Sequence, residues 1–254
     1  MYGLFGVLGF LIGMVYLFII TRIKKEKFDD YLYVYVWSAI GAVAGAKVLY
    51  VLIDFRNIIT AYRLGLDFFK YYISGIVGGG FVFYGGLIGG LITLYISSRY
   101  FELIPRQIFT FLIPAMPLAH AFGRIGCYMV GCCYGVEIDS EYGVMYEDSL
   151  YAPNGITLFP VQLVEAGLDI LIFAYLFYRL YRLTEDRYLS NTLLEQYLFL
   201  YATVRFILEF FRGDSARGSF LYLSTSQWIS IAIILVVVGR YIHRFCFSSE
   251  KQES

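Results

Sequence analysis

His120-Ala-Phe-Gly-Arg-Ile-Gly-Cys-Tyr-Met-Val-Gly-Cys-Cys-Tyr-Gly135 sets an arginine, a histidine and three of the four cysteines in a run that is otherwise apolar or small. A run of this kind reads as membrane filling. A charge held at membrane depth is costly, and so marks a functional site or a partnered ion. The rest of the chain agrees: of 254 residues, 59% are hydrophobic, 20% aromatic and 16% charged, with a mean hydropathy of +0.66. Soluble domains carry about 25% charged residues. The expected fold is an all-α, polytopic membrane protein, a single integral membrane domain over residues 1–254. Twenty basic and twenty acidic residues cancel, which gives no basis for a nucleic-acid partner and leaves charge to act by location.

Working outward from this stretch, residues 107–130 form one helix that ends in it. Before it come a span at 2–21, a span at 31–53, and a third that enters through the glycine-rich 78–90 and runs to Arg99. After it come spans at 160–181, 192–211 and 226–245, making about seven. Residues 54–72, amphipathic and aromatic with mixed charge, suit an outer loop with an interfacial helix. Residues 2–20 lack a basic leader and a small-residue cleavage site, so they read as a retained first helix. Arg22, Lys24, Lys25, Lys27, Arg99, Arg106, Arg179, Arg182, Arg187, Arg240, Arg244 and Lys251 all fall on one side of this arrangement. Only Arg56, Arg63, Lys70, Arg212 and Arg217 fall on the other. Basic residues mark the cytoplasmic side, so the N-terminus is expected outside and the C-terminus cytoplasmic.

Gly123, Cys127, Gly131 and Gly135 recur every four residues and are expected to form a ridge on one helix face, with His120 and Arg124 beside it. The glycines and cysteines fit a helix-packing surface, whereas Arg124 points to function. A second constellation, Arg205-Phe-Ile-Leu-Glu209-Phe-Phe-Arg212, puts Arg205 and Glu209 one turn apart, and residues 160–181 add Gln162, Glu165 and Asp169 on one face. Two readings stand: the arginines and carboxylates neutralise one another as scaffold, or Arg124 and Arg205 jointly hold an anion. Arginine's planar fork suits phosphate, and a phosphate inside a membrane is a lipid head group. Cys127-x4-Cys132-Cys133 is not a usual zinc spacing, so no metal is expected, and neighbours at one helix end direct their side chains apart, so they are not expected to form a disulfide. A thiol nucleophile beside His120 is a further reading.

These residues resemble the prolipoprotein diacylglyceryl transferases of bacteria along nearly the whole chain. Tyr2-Gly-Leu-Phe is similar to the family's aromatic-Tyr-Gly-Leu opening, and 41–50 to its Gly-x3-Gly-Ala-Arg-x2-Tyr segment, with Lys47 in place of arginine. Tyr84-Gly-Gly-Leu-Ile-Gly89 resembles His-Gly-Gly-Leu-Ile-Gly. Gly123-Arg-Ile-Gly126 through Gly135 resembles the signature Gly-Arg-x-Gly-Asn-x7-Gly. Phe159-Pro-x-Gln162-x2-Glu165 and Arg205-Phe-x2-Glu209-Phe-Phe-Arg212 complete the order.

The resemblance implies transfer of the diacylglyceryl group of phosphatidylglycerol to the lipobox cysteine in a prolipoprotein signal peptide, with release of glycerol phosphate. The expected place is a bacterial cytoplasmic membrane, among membrane lipids, with no cofactor and no metal. Arg124 and Arg205 would hold the phosphate, Glu209 would orient Arg205, and Tyr2 would line the site. Gly85, Gly86 and Gly135 would admit lipid and peptide, with Cys127 on the substrate-binding surface. Three positions depart from the family's polar pattern: Tyr84 stands for histidine, Cys127 for asparagine and Cys132 for glutamate. An ordinary tyrosine, with a pKa near 10, is a poor base at neutral pH. Tyr84 keeps the catalytic position, while His120 is expected to take over proton removal. The chain opens almost at Tyr2, so an arm ahead of the first helix is expected to be missing. The alternatives are a divergent homologue that acts on another acceptor, and a non-catalytic lipid-binding membrane protein on the same fold.

Overall fold

The structure is a computed structural model that describes residues 2–78, 82–189, 192–214 and 219–250; the side chains of 2, 76–78, 83–84, 219–220 and 245–250 lie outside the description. It is mostly helical: α1 (Tyr2–Lys24), α2 (Phe28–Ile53), α3 (Phe55–Arg63), α4 (Leu66–Gly78), α5 (Phe83–Tyr100), α6 (Pro105–Leu112), α7 (Ala115–Val130), α8 (Val161–Arg182), α9 (Leu193–Leu208) and α10 (Thr225–Glu250). Two short antiparallel pairs lie in the connections, β1 (Val144–Met145) with β2 (Thr157–Leu158), and β3 (Ser219–Phe220) with β4 (Leu223–Ser224).

Among the described residues, α1, α2, α8 and α10 are long and apolar enough to cross a membrane, and α6 with α7 makes a fifth if the bent pair is one span. α5 and α9 do not meet the same test. Their outward faces are apolar where a soluble protein's would be polar. On α1 alone Leu4, Val7, Leu11, Val15 and Phe18 are each more than two-fifths exposed. A continuous apolar surface of that kind needs a lipid environment or a partner.

Two expected helices are interrupted. Residues 107–130 break into α6 and α7, which meet at 42°. Pro114 stands at the break as the N-cap of α7, because a proline has no N–H to donate and its ring excludes the preceding turn's carbonyl. Residues 192–211 are α-helical only to Leu208 and tighten into a 3-10 turn at Glu209–Phe211.

The chain divides into two compact units, one of Met1–Lys24 with Thr110–Ser254 and one of Lys25–Phe109. In the first, α1 lies close against α7, where a Cβ at Gly9 would come within 3.2 Å of Ala119 O and Phe122 Cβ. The Tyr16 hydroxyl donates to Phe111 O at 2.8 Å, and its ring meets Phe173 and Phe177 edge-on. α8 turns Gln162, Glu165, Asp169, Ile172, Leu176 and Leu180 inward, all buried. In the second unit, α2 and α5 touch backbone to backbone. A Cβ at Gly85 would collide with Gly45 O, and one at Gly89 with Gly41 O. Small residues four apart on both helices allow this approach.

Candidate functional site

The four-residue spacing of His120 and Arg124 puts them one above the other on α7, and Glu165 and Asp169 repeat that spacing on α8. The two helices pack antiparallel, so the pairs match in reverse order. Arg124 Nη2 lies 2.8 Å from Glu165 Oε1, and His120 Nδ1 lies 2.8 Å from Asp169 Oδ2. Both carboxylates are almost completely buried, whereas the His120 ring is 28% exposed. Tyr201 of α9 meets that ring edge-on at 5.3 Å and stacks on Tyr197, one turn earlier.

One turn beyond Tyr201 is Arg205, buried, with Nη2 2.7 Å from Glu209 Oε2 and 3.4 Å from the Ser226 hydroxyl of α10. The 3-10 turn at Glu209–Phe211 then carries the chain to Arg212, whose side chain is only 3% exposed. Arg212 Nε and Nη2 donate to the two oxygens of Asp214 at 2.9 and 2.8 Å. Arg205 lies within electrostatic range of Arg124, Arg212 and Glu165.

Each guanidinium offers five N–H donors, and the protein partners do not use them all. Arg124 Nε, Arg205 Nη1 and Arg212 Nη1 are buried with no hydrogen-bond partner among the described residues. Each of the three arginines is paired with a carboxylate, and Glu165 and Asp169 also have buried oxygens without a hydrogen-bond partner among the described residues; a phosphate could accept from several of the unspent donors at once.

The helix end beside them departs from the expected ridge. α7 stops at Val130. Gly131 takes a left-handed backbone, φ +81, and its N–H donates to Cys127 O and Tyr128 O. This is the usual glycine C-cap, so Gly131 and Gly135 do not continue the face of Gly123 and Cys127. The chain folds back over the helix end, and side chains bond carbonyls there: Tyr146 donates to Tyr128 O, Ser149 to Val130 O and Gln162 to Cys132 O. Gly135 pairs with Arg212 as an isolated β-bridge, and a Cβ there would collide with Phe159 O. The lack of a side chain at Gly135 therefore has a packing cause.

The same fold-back brings Cys132 and Cys133 to Cys127. The three sulfur atoms lie within 4.8 Å of one another, and Cys133 is in hydrogen-bond contact with Arg212. Hydrogen bonds from the Cys127 and Cys132 thiols, joined by that of Arg212, push the Cys133 thiol down. Hydrogen bonding to Cys127 and Cys133 pushes Cys132 up. Burial pushes Tyr146 up to about 12, leaving it a donor at neutral pH.

Arg124, Arg205, His120, Glu209, Cys127 and Gly135 therefore all fall in the first unit, around the ends of α7, α8 and α9. Gly85 and Gly86 fall in the second, on the first turns of α5, where Gly86 faces Ala42 and Ala46. The backbone of Tyr84 belongs to the same turn and that of Tyr2 to the first turn of α1; both side chains lie outside the described residues. Asp169 and Arg212 join the group although the sequence reading gives neither a role at the site. The signal for each is present, since Asp169 follows Glu165 at the spacing of His120 and Arg124, and Arg212 lies three residues beyond Glu209.

A family described as prolipoprotein diacylglyceryl transferase matches residues 1–243. The phosphatidylglycerol–prolipoprotein diacylglyceryl transferase of Clostridium tetani is 34% identical over 237 residues, covering 92% of this chain and 89% of its own. The second such enzyme of Clostridium perfringens is 31% identical, with 89% and 86% covered. That of Chlorobaculum tepidum is 30% identical, with 94% and 82% covered.

Proposed function

The chain belongs to the prolipoprotein diacylglyceryl transferase family, and on that premise we propose that it moves the diacylglyceryl group of phosphatidylglycerol onto the lipobox cysteine of a prolipoprotein. In this reaction the bond between the lipid's glycerol carbon and a phosphate oxygen breaks, and a carbon–sulfur bond forms at that carbon. The phosphate keeps the electron pair and leaves as glycerol phosphate, while the acceptor thiol loses its proton. The observation that carries this reading is the group of unspent N–H donors on Arg124, Arg205 and Arg212 inside an otherwise apolar bundle.

The phosphodiester carries one negative charge, and the departing monoester carries more. Donors held at the phosphate oxygens therefore bind the transition state better than the bound lipid. Glu165 and Glu209 fix the two guanidiniums without using all their donors. His120 takes the acceptor's proton: Asp169 Oδ2 lies 2.8 Å from Nδ1, and with that nitrogen facing the carboxylate Nε2 would be the acceptor on a ring that is partly open. This is the orienting role of a carboxylate behind a histidine base.

The same reading puts the protein in a bacterial cytoplasmic membrane with seven crossings, the N-terminus outside and the C-terminus cytoplasmic. It is supported by the basic residues at the ends of 2–21, 78–99, 160–181 and 226–245. It is supported too by residues 125–178, which hold five acidic residues between 137 and 148 and no lysine or arginine. The arginine site then opens toward the outer leaflet, where lipid and signal peptide meet.

Full-length protein in detergent with phosphatidylglycerol and a lipobox peptide tests the proposal. The expected product is a peptide heavier by one diacylglyceryl group in thioether linkage. Arg124→Ala or Arg205→Ala should abolish it. A product formed equally well by Arg124→Ala would overturn the proposal.

A further inference from the structure

The proposed reaction gives no chemical step to the three thiols gathered at the end of α7. Cys127 is buried on the last turn of the helix, and Cys132 and Cys133 are half-buried on the segment folded back over it. Cys133 adopts φ +58, a left-handed backbone conformation that non-glycine residues seldom take. Strained residues of this kind persist where the surroundings fix them, and they gather at ligand clamps. Here the fixing contacts are the Gly131 turn, the Gln162 bond to Cys132 O at 2.9 Å and the contact between Cys133 and Arg212.

We propose that Cys127, Cys132 and Cys133 form a three-thiolate site for a soft cation of the zinc, cadmium or copper(I) class. Zinc–sulfur bonds of about 2.3 Å put the sulfurs of one tetrahedral ion about 3.8 Å apart, so a separation of at most 4.8 Å closes by side-chain rotation alone. Thiolates select soft metals over magnesium or calcium. Three thiolates around a divalent ion carry one excess negative charge, and Arg212 and Arg124, both in electrostatic contact with the cysteines, supply the compensation. Irregular spacing does not oppose the site, because the Gly131 turn and not the helical repeat sets where the sulfurs meet. A bound ion would pin residues 131–134 to the end of α7 and so hold the Gly135–Arg212 bridge. The fourth position is left for water or another small ligand.

Binding is read without turnover, so the outcome is independent of the transferase reading. Reduced full-length protein in detergent is titrated with cadmium, following thiolate-to-cadmium charge-transfer absorption and the metal content after dialysis. One ion per chain is expected. Arg212→Gln should weaken binding by roughly 10–100-fold, the usual cost of losing a contact to a ligand. Cys132→Ser with Cys133→Ser should remove the absorption altogether, and Cys246→Ser should change nothing. Alkylation of the unmutated protein keeps the test free of folding defects: bound cadmium should protect Cys127, Cys132 and Cys133 while Cys246 is labelled. Sub-stoichiometric metal, absorption that survives the double substitution, or no protection of the three cysteines overturns the proposal.

Discussion

Arg124 has two roles that one substitution cannot separate. Replacing it with alanine removes a phosphate donor and also leaves the Glu165 carboxylate buried without its partner, a loss of about 3–5 kcal/mol for a buried pair. Arg124→Lys keeps the charge and loses the planar fork and its Nε donor. It is expected to remain folded yet turn over about 10²–10³ times more slowly, as read from the initial rate of peptide lipidation. Wild-type turnover by a folded Arg124→Lys protein would reduce the arginine to scaffold. His120 and Asp169 separate differently. His120→Ala should lower kcat by about 10²–10⁴ with the lipid KM unchanged, and Asp169→Asn should lower kcat less, because it disturbs the orientation of the ring and not the proton acceptor. A raised KM with an unchanged kcat would make His120 a binding residue. Arg124 was legible in the sequence because a charge among apolar residues is conspicuous at any register. The partnership of His120 with Asp169 was not, since it depends on which antiparallel offset the two helices adopt.

At the scale of elements, the glycines of α2 and α5 make a graded prediction. A Cβ at Gly85 would collide with Gly45 O, whereas at Gly86 the nearest atoms are at 3.3 and 3.5 Å. Gly85→Ala should destabilise by about 1–3 kcal/mol, in the range of overpacked cores, and Gly86→Ala by less than about 1 kcal/mol. Thermal unfolding in detergent distinguishes the two, and equal effects would contradict the backbone contact. Small residues four apart announce a close approach but not its partner, because Gly-x3-Gly spacing on one helix is silent about the other. The end of α7 is hidden in the same way. By spacing, Gly131 is one more small residue at a helical repeat, although a glycine followed by a change of pattern is equally a C-cap, and the left-handed φ decides it. Pro114 is the plainer case, a proline inside a helical run that breaks the helix as proline chemistry requires. Helix existence was legible from hydrophobic runs, whereas breaks, caps and the sulfur cluster come from single residues whose effect depends on what packs beside them.

At the scale of the whole molecule, the order of long apolar helices and the family could both be read along the sequence, because six motifs in order are hard to produce by chance. Their orientation rests on the distribution of Lys and Arg. A cysteine introduced by Glu141→Cys into a chain otherwise lacking cysteine should react with a membrane-impermeant thiol reagent on intact cells. One introduced by Ser254→Cys should react only after lysis, and the reverse pattern would invert the topology. The central claim is that the arginine group stabilises a phosphate leaving group as a diacylglyceryl chain moves to a thiol. The most direct test counts both products when phosphatidylglycerol labelled in its head-group glycerol is given with a lipobox peptide. One labelled glycerol phosphate should appear for each lipidated peptide, and both should vanish together in Arg205→Ala. Glycerol phosphate released without lipidated peptide, or neither product from folded protein, would contradict it.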